Sequence, residues 1–176
     1  MTDWASLFRL DGKRALVTGA GRGIGLAAAQ VLAAYGAHVT LVSRSGNETA
    51  EAAKNIRDAG GEADHMALDV TDINAVRAWI NQREPFDILV NNAGTNRPGP
   101  FLEVEADDFD VVVDLNIRAS FFFAQAVARR LFEAGKPGSI INVSSQMGHV
   151  GAVGRTVYCT TKFAIEGMTK AIAVEL

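Results

Sequence analysis

Cysteine is nearly absent from this chain of 176 residues. Its single thiol, Cys159, excludes an internal disulfide and suits a reducing compartment. Histidine is scarce too: His38, His65 and His149 lie far apart, form no metal-ligand cluster, and give no reason to expect a metal. Charge of one sign is not in excess. A formal net charge of −3 supplies no general attraction to nucleic acid or to an anionic membrane. No apolar run reads as long enough to span a bilayer. The opening Met1-Thr2-Asp3-Trp4 lacks a basic region followed by an apolar stretch, so no secretory signal is expected. A cytoplasmic protein is the expectation. Internal repeats, low-complexity tracts and a second-domain boundary are also missing. What is present, 48% hydrophobic and 21% charged residues, fits one globular domain, residues 1–176, with a substantial core.

The apolar runs are short, and helical stretches separate them. Ala15-Leu16-Val17, Val39 to Val42, Met66-Ala67-Leu68, Ile88-Leu89-Val90 and Ser139 to Val143 read as strands. Ile24 to Tyr35 reads as a helix that Gly36 closes. Ser45-Gly46-Asn47-Glu48 fits a capping box opening a helix that stops at Gly60-Gly61. Thr71 is the expected N-cap of a helix to about Arg83. Ala106 to Ala134 reads as one long helix whose Phe121-Phe122-Phe123 is too apolar for an exposed face. Thr156 to about Glu175 is the last helix. The strands lack clear alternation, as expected when both faces are covered. The fold class is therefore α/β, a doubly wound parallel sheet of Rossmann type in three layers, α/β/α.

The first strand runs into a turn crowded by Gly19, Gly21, Gly23 and Gly25, and a helix opens there. This is the setting of a dinucleotide fingerprint, although the spacing departs from GxGxxG, whose third glycine would fall on Ile24. Glycines let the backbone approach a pyrophosphate, and the helix N-terminus favours its charge. An NAD site places an acid at the end of the second strand to hold the ribose hydroxyls. That acid is missing here, and Ser43-Arg44 stands in its place. Arg44, with Arg22 from the glycine turn, can reach a 2′-phosphate. Charge-assisted bonds of ~1.5–3 kcal/mol each would favour NADP(H) over NAD(H) by ~100-fold or more. Asn91-Asn92-Ala93-Gly94 ends the fourth strand, and Ser144-Ser145 ends the fifth, on the same sheet edge as the glycine turn.

Tyr158 and Lys162 are four residues apart and share one helix face. A cation within ~4–6 Å lowers an acid's pKa by ~1–3 units, which moves a phenol towards proton exchange near neutrality. Asn116 sits inside the long helix, where asparagine is a poor helix former.

Taken together, Thr18-Gly19-Ala20-Gly21-Arg22-Gly23-Ile24-Gly25, Asn91-Asn92-Ala93-Gly94, Asn116, Ser145 and Tyr158 with Lys162 resemble the short-chain dehydrogenase/reductase family, in order and spacing, across nearly the whole chain. The resemblance implies hydride transfer between a carbonyl and a secondary alcohol. Tyr158 would be the general acid or base, and Lys162 would lower its pKa and bond the nicotinamide ribose. Ser145, with Ser144 as the fallback, would donate to the substrate oxygen, and Asn116 would hold a water for proton relay. Gly19, Arg22, Gly23, Ile24, Gly25, Ser43, Arg44, Asp69, Val70, Asn92, Ala93 and Gly94 would line the cofactor, with Asp69 and Val70 at the adenine. A 3-oxoacyl-thioester and a sugar or polyol are both open as substrate. The alternative class is a non-enzymatic nucleotide-sensing or scaffold protein on the same fold.

The resemblance also implies a homodimer or homotetramer, paired through the long and final helices. The family continues beyond the final helix with further strands and a substrate-covering segment. Without them the fifth strand is an apolar sheet edge. The expectation is therefore a longer polypeptide whose C-terminal strands are missing from this sequence.

Overall fold

The computed structural model describes residues 4–176, with the side chains of residues 4 and 5 left aside. A five-stranded parallel sheet forms its middle layer: β1 (Arg14–Thr18), β2 (His38–Ser43), β3 (Glu62–Ala67), β4 (Ile88–Asn91) and β5 (Ser139–Asn142). The order is β3-β2-β1-β4-β5, with β1 at the centre. The chain winds outward from β1 to β3, then crosses back to β4. The C-terminal ends of β1 and β4 therefore flank the point where winding reverses, which is where open α/β sheets bind ligands. In register, Val17 faces Leu41 on one side and Val90 on the other. Two apolar clusters cover the two faces. One packs Ala15, Val17 and Leu41 against Ala29, Ala33 and Ile56 of the first two helices. The other packs Leu16, Val42 and Leu89 against Trp79, Phe123, Val127 and Leu131.

The helices are α1 (Gly23–Ala34), α2 (Gly46–Asp58), α3 (Ile73–Asn81), α4 (Ala106–Val113), α5 (Ser120–Glu133) and α6 (Thr156–Glu175). Gly36 stops α1 as expected. Its φ of +102° is open to glycine, and the Gly36 and Ala37 N–H groups donate to the Ala33 and Leu32 carbonyls.

Several local expectations are corrected. Ser45 precedes α2, but its side chain makes no cap bond, so the capping box does not form. The Ser45 carbonyl instead accepts from the Thr49 N–H and hydroxyl. Asp72, not Thr71, caps α3, accepting from the Ala75 N–H at 3.0 Å, and α3 ends at Asn81. β3 begins at Glu62 and stops at Ala67, leaving Leu68 beyond it. As an edge strand it tolerates Glu62, Asp64 and His65, so its polar start carried no apolar signal.

α4 and α5 are one continuous helix interrupted by a π-helical segment, Asp114–Ala119. Contrary to the sequence reading, this helix, Ala106–Glu133, is long and apolar enough to cross a membrane by length and composition, with a mean hydropathy of 1.4 over 18 residues. The reason lies in the fold. One face, with Phe123, Val127 and Leu131, is buried on the sheet, Val112 is buried further along the helix, and Phe121 and Phe132 stand on the outer face. At the far edge, β5 pairs only with β4 among the described residues, and Ile141 is 47% exposed.

Candidate active site

Thr18 ties β1 to β4. Its hydroxyl oxygen accepts from the Asn92 and Ala93 N–H groups, each at 3.0 Å. Asn92 returns the connection, its Nδ2 donating to the carbonyls of Thr18 at 3.0 Å and Gly19 at 3.1 Å. The glycine turn and the Asn92-Ala93-Gly94 segment are thus one hydrogen-bonded unit.

Within that unit each glycine answers a definite constraint. Gly19 and Gly23 have φ of +63° and +59°. A Cβ on Gly25 would lie 2.4 Å from the Gly19 carbonyl oxygen and 2.5 Å from Asn92 Nδ2, so the first turn of α1 seats against the loop without a side chain. The first-turn N–H groups of α1 lack intrahelical acceptors, and α1 opens beside the C-terminal end of β1 with no side chain on Gly23 or Gly25, which is the polarity and openness a pyrophosphate requires. Ile24 beside it is 69% exposed. The residues present therefore fit a dinucleotide.

The other predicted cofactor residues lie along the same sheet edge. Ser43 ends β2, its hydroxyl donating to the Ser45 carbonyl at 2.9 Å. Arg44 and Arg22 are exposed, and neither makes an ion pair among the described residues. Asp69, beyond β3, accepts from the Thr71 N–H and hydroxyl at 2.9 and 2.8 Å, which fixes the loop's shape. Val70 is 6% exposed and packs into the core, so only its backbone is available to a ligand.

The predicted catalytic residues converge on α6. Val157, Thr161 and Ile165 form its buried stripe, with Lys162 alongside at 7% exposure. Lys162 Nζ donates to the Val143 carbonyl at 2.7 Å and lies 5.6 Å from the centre of the Tyr158 ring. Burial pushes its ammonium below the usual lysine range, and no carboxylate pairs with it among the described residues. The Tyr158 hydroxyl, half-buried, makes no hydrogen bond to the protein among the described residues.

Asn116 stands in the π segment, 2% exposed rather than solvent-facing. Its Oδ1 accepts from the Thr95 N–H at 2.8 Å, and its Nδ2 donates to the Thr95 carbonyl at 2.9 Å and the Thr161 hydroxyl at 3.0 Å. The side chain thereby joins three elements: the loop after β4, the interrupted helix, and α6 at the residue before Lys162. Single π turns recur at functional sites because the extra residue redirects a side chain. Thr95 and Thr161 were missed in the sequence. Neither belongs to a motif, and only the fold brings them to Asn116.

Ser145 caps the short turn Gln146–Gly148, its hydroxyl oxygen accepting from the Met147 N–H at 3.2 Å. That turn packs on α6. A Cβ on Gly148 would lie 3.1 Å from the Lys162 carbonyl oxygen and 2.7 Å from the Ser144 hydroxyl. Both serines are half-buried; Ser144 Oγ is buried without a partner among the described residues, whereas Ser145 Oγ accepts from the Met147 N–H. Among the described residues no group of His, Cys, Asp and Glu could hold a metal ion.

Comparison with known proteins extends this picture. A family model described as short chain dehydrogenase matches residues 13–176. L-xylulose reductase from Bos taurus is 42% identical over 96% of this chain and 67% of its own length. Gluconate 5-dehydrogenase from Gluconobacter oxydans (strain 621H) is 40% identical over 96% of this chain and 67% of its own. Among solved structures, a gluconate 5-dehydrogenase from Burkholderia cenocepacia J2315 in complex with NADP and tartrate superposes with a TM-score of 0.92 at 40% identity, covering 97% of this chain and 68% of that one. The chain thus spans about two thirds of the length of these relatives.

Proposed function

The chain belongs to the short-chain dehydrogenase/reductase family, and from that premise we propose that it interconverts a carbonyl and a secondary alcohol on a sugar or polyol, with NADP(H) preferred over NAD(H). It is an oxidoreductase of the CH–OH/C=O type that works with NAD(P) and a small-molecule substrate. The sugar or polyol reading draws on the relatives' substrates and takes precedence over a 3-oxoacyl thioester. The preference for NADP(H) draws on Arg22 and Arg44, both exposed and without an ion pair, and on the missing acid after β2.

One observation carries the catalytic assignment. Lys162 is buried without a carboxylate beside the ring of Tyr158, whose hydroxyl has no protein partner among the described residues. An ammonium held there presents a positive charge to the phenol, and the free hydroxyl is available to a substrate oxygen. Bound NAD(P) supplies or accepts the hydride. Tyr158 gives the proton to the carbonyl oxygen in reduction and takes it back in oxidation. Ser145 donates a hydrogen bond to that same oxygen. Asn116 fixes α6 through Thr161 and so sets where Tyr158 and Lys162 stand. The N–H groups at Gly19, Gly23 and Gly25 hold the pyrophosphate, with Ile24 beside it. Asn92, Ala93 and Gly94 flank the middle of the dinucleotide, and Asp69 and Val70 flank the adenine.

The reading includes a homodimer or homotetramer joined through α4–α5 and α6. Its support is a groove of about 310 Å³ between α5, β5 and α6, where apolar Phe121, Phe132, Ile140 and Ile172 stand with Arg129 and Glu175. It also includes a cytoplasmic setting, supported by the free, buried thiol of Cys159.

The test is a panel of sugars, polyols and carbonyl compounds on the full-length protein, followed at the nicotinamide absorbance with both coenzymes. Tyr158→Phe abolishes turnover and leaves NADPH affinity within about twofold. Unchanged turnover in that variant defeats the assignment.

A further inference from the structure

Glu48 reads in the sequence as the partner of Ser45 in a capping box, a purely local role. The structure frees it from that role, because the Ser45 side chain makes no cap bond. Its carboxylate turns instead towards the glycine turn. A Cβ on Gly21 would lie 2.8 Å from Glu48 Oε2 and 3.0 Å from Glu48 Cβ, and 3.6 Å from Ser43 Oγ. Glu48, Gly21 and Ser43 therefore meet at one spot beside the C-terminal ends of β1 and β2. Arg22 follows Gly21 in the chain, and Arg44 follows Ser43. Both arginines are exposed, and neither forms an ion pair with Glu48 among the described residues, so each charge is free to meet a ligand.

We propose that Glu48 is a specificity-determining residue for the coenzyme, returning from α2 the carboxylate that the end of β2 lacks. The proposal rests on the dinucleotide reading above. A carboxylate accepts a hydrogen bond from a ribose 2′-hydroxyl and repels a 2′-phosphate, while the two arginines do the reverse. With both present, discrimination is narrower than two arginines alone would give, and NAD(H) remains usable. Gly21 belongs to this device, since any side chain there would displace the Glu48 carboxylate.

The test is calorimetric titration of the full-length protein with 2′,5′-ADP and 5′-AMP, which differ only in the 2′ substituent. Glu48→Gln is expected to bind 2′,5′-ADP about five- to tenfold more tightly, after screening of an exposed charge, and 5′-AMP about twofold more weakly. Glu48→Asp, which withdraws the charge by one methylene, moves the ratio the same way by less. Glu51→Gln removes an equal charge one turn further along α2 and leaves the ratio unchanged. A ratio that stays within twofold in Glu48→Gln, or moves as far in Glu51→Gln, overturns the role of Glu48 and leaves the coenzyme reading standing. Folded wild-type protein that binds neither fragment nor NADPH nor NADH overturns both.

Discussion

Thr18→Val tests the link on which the site depends. The two side chains are nearly the same shape, so the substitution removes the hydroxyl without opening a cavity. Thr18 is 1% exposed, and its oxygen accepts two backbone N–H bonds at 3.0 Å. Its own bond to the Val90 carbonyl, at 3.5 Å, is too long to count for much. A buried donor left without a partner costs ~1–3 kcal/mol, so two cost ~2–6 kcal/mol if fully dry. Asn92 and Ala93 are only partly buried, which places the expected loss in the lower part of that range, about 2–3 kcal/mol. Thr18→Ser keeps the acceptor and loses one methyl group, a loss of about 1 kcal/mol. Urea unfolding followed by circular dichroism separates the two. The reasoning fails if the valine variant is no less stable than the serine variant, because the hook would then contribute no more than packing.

Gly25→Ala puts a methyl group 2.4 Å from a backbone carbonyl that Asn92 holds in place, so the loop must shift. Overpacking of this kind destabilises by ~1–3 kcal/mol, and dinucleotide affinity should drop at least tenfold by calorimetry; a variant of wild-type affinity would disprove the pyrophosphate site. Lys162 provides a pH test. Its folded pKa lies below the ordinary 10.5, so between the two values the unfolded state binds more protons and stability rises with pH. Urea midpoints taken as the pH rises to 10.5 should show wild type gaining on Lys162→Met, and a flat or falling difference would contradict the burial. Asn116→Ala removes three hydrogen bonds from a buried position, with an expected loss of about 2–4 kcal/mol and a fall in kcat larger than the rise in KM, since α6 loses its tie through Thr161. A variant with wild-type kcat would remove Asn116 from the positioning of α6.

Local chemistry explains which parts could be read from residues alone. Short apolar runs between glycine-stopped helices specify a covered parallel sheet, and the crowding of glycines after Val17 specifies a close backbone approach. Tyr158 and Lys162 are legible because helix periodicity alone places them on one face. Helix caps were less legible. Ser45 and Asp72 hold nearly the same backbone angles at their N-cap positions, yet only Asp72 makes a cap bond, while the Thr71 hydroxyl is engaged by Asp69, so residue type and backbone angles alone do not decide a cap.

What the sequence settled by itself, then, is whatever depends on neighbours a few residues apart: the alternation of strands and helices, the glycine turn, and the Tyr158–Lys162 face. Tertiary structure alone decided what depends on distant partners. It buried Asn116 against Thr95 and Thr161, gave Thr18 its two donors from the end of β4, and swung Glu48 from its own helix end towards Gly21. The physical reason is that a polar side chain has several bonding choices of similar strength, and the one it takes is set by which remote groups folding brings within about 3 Å.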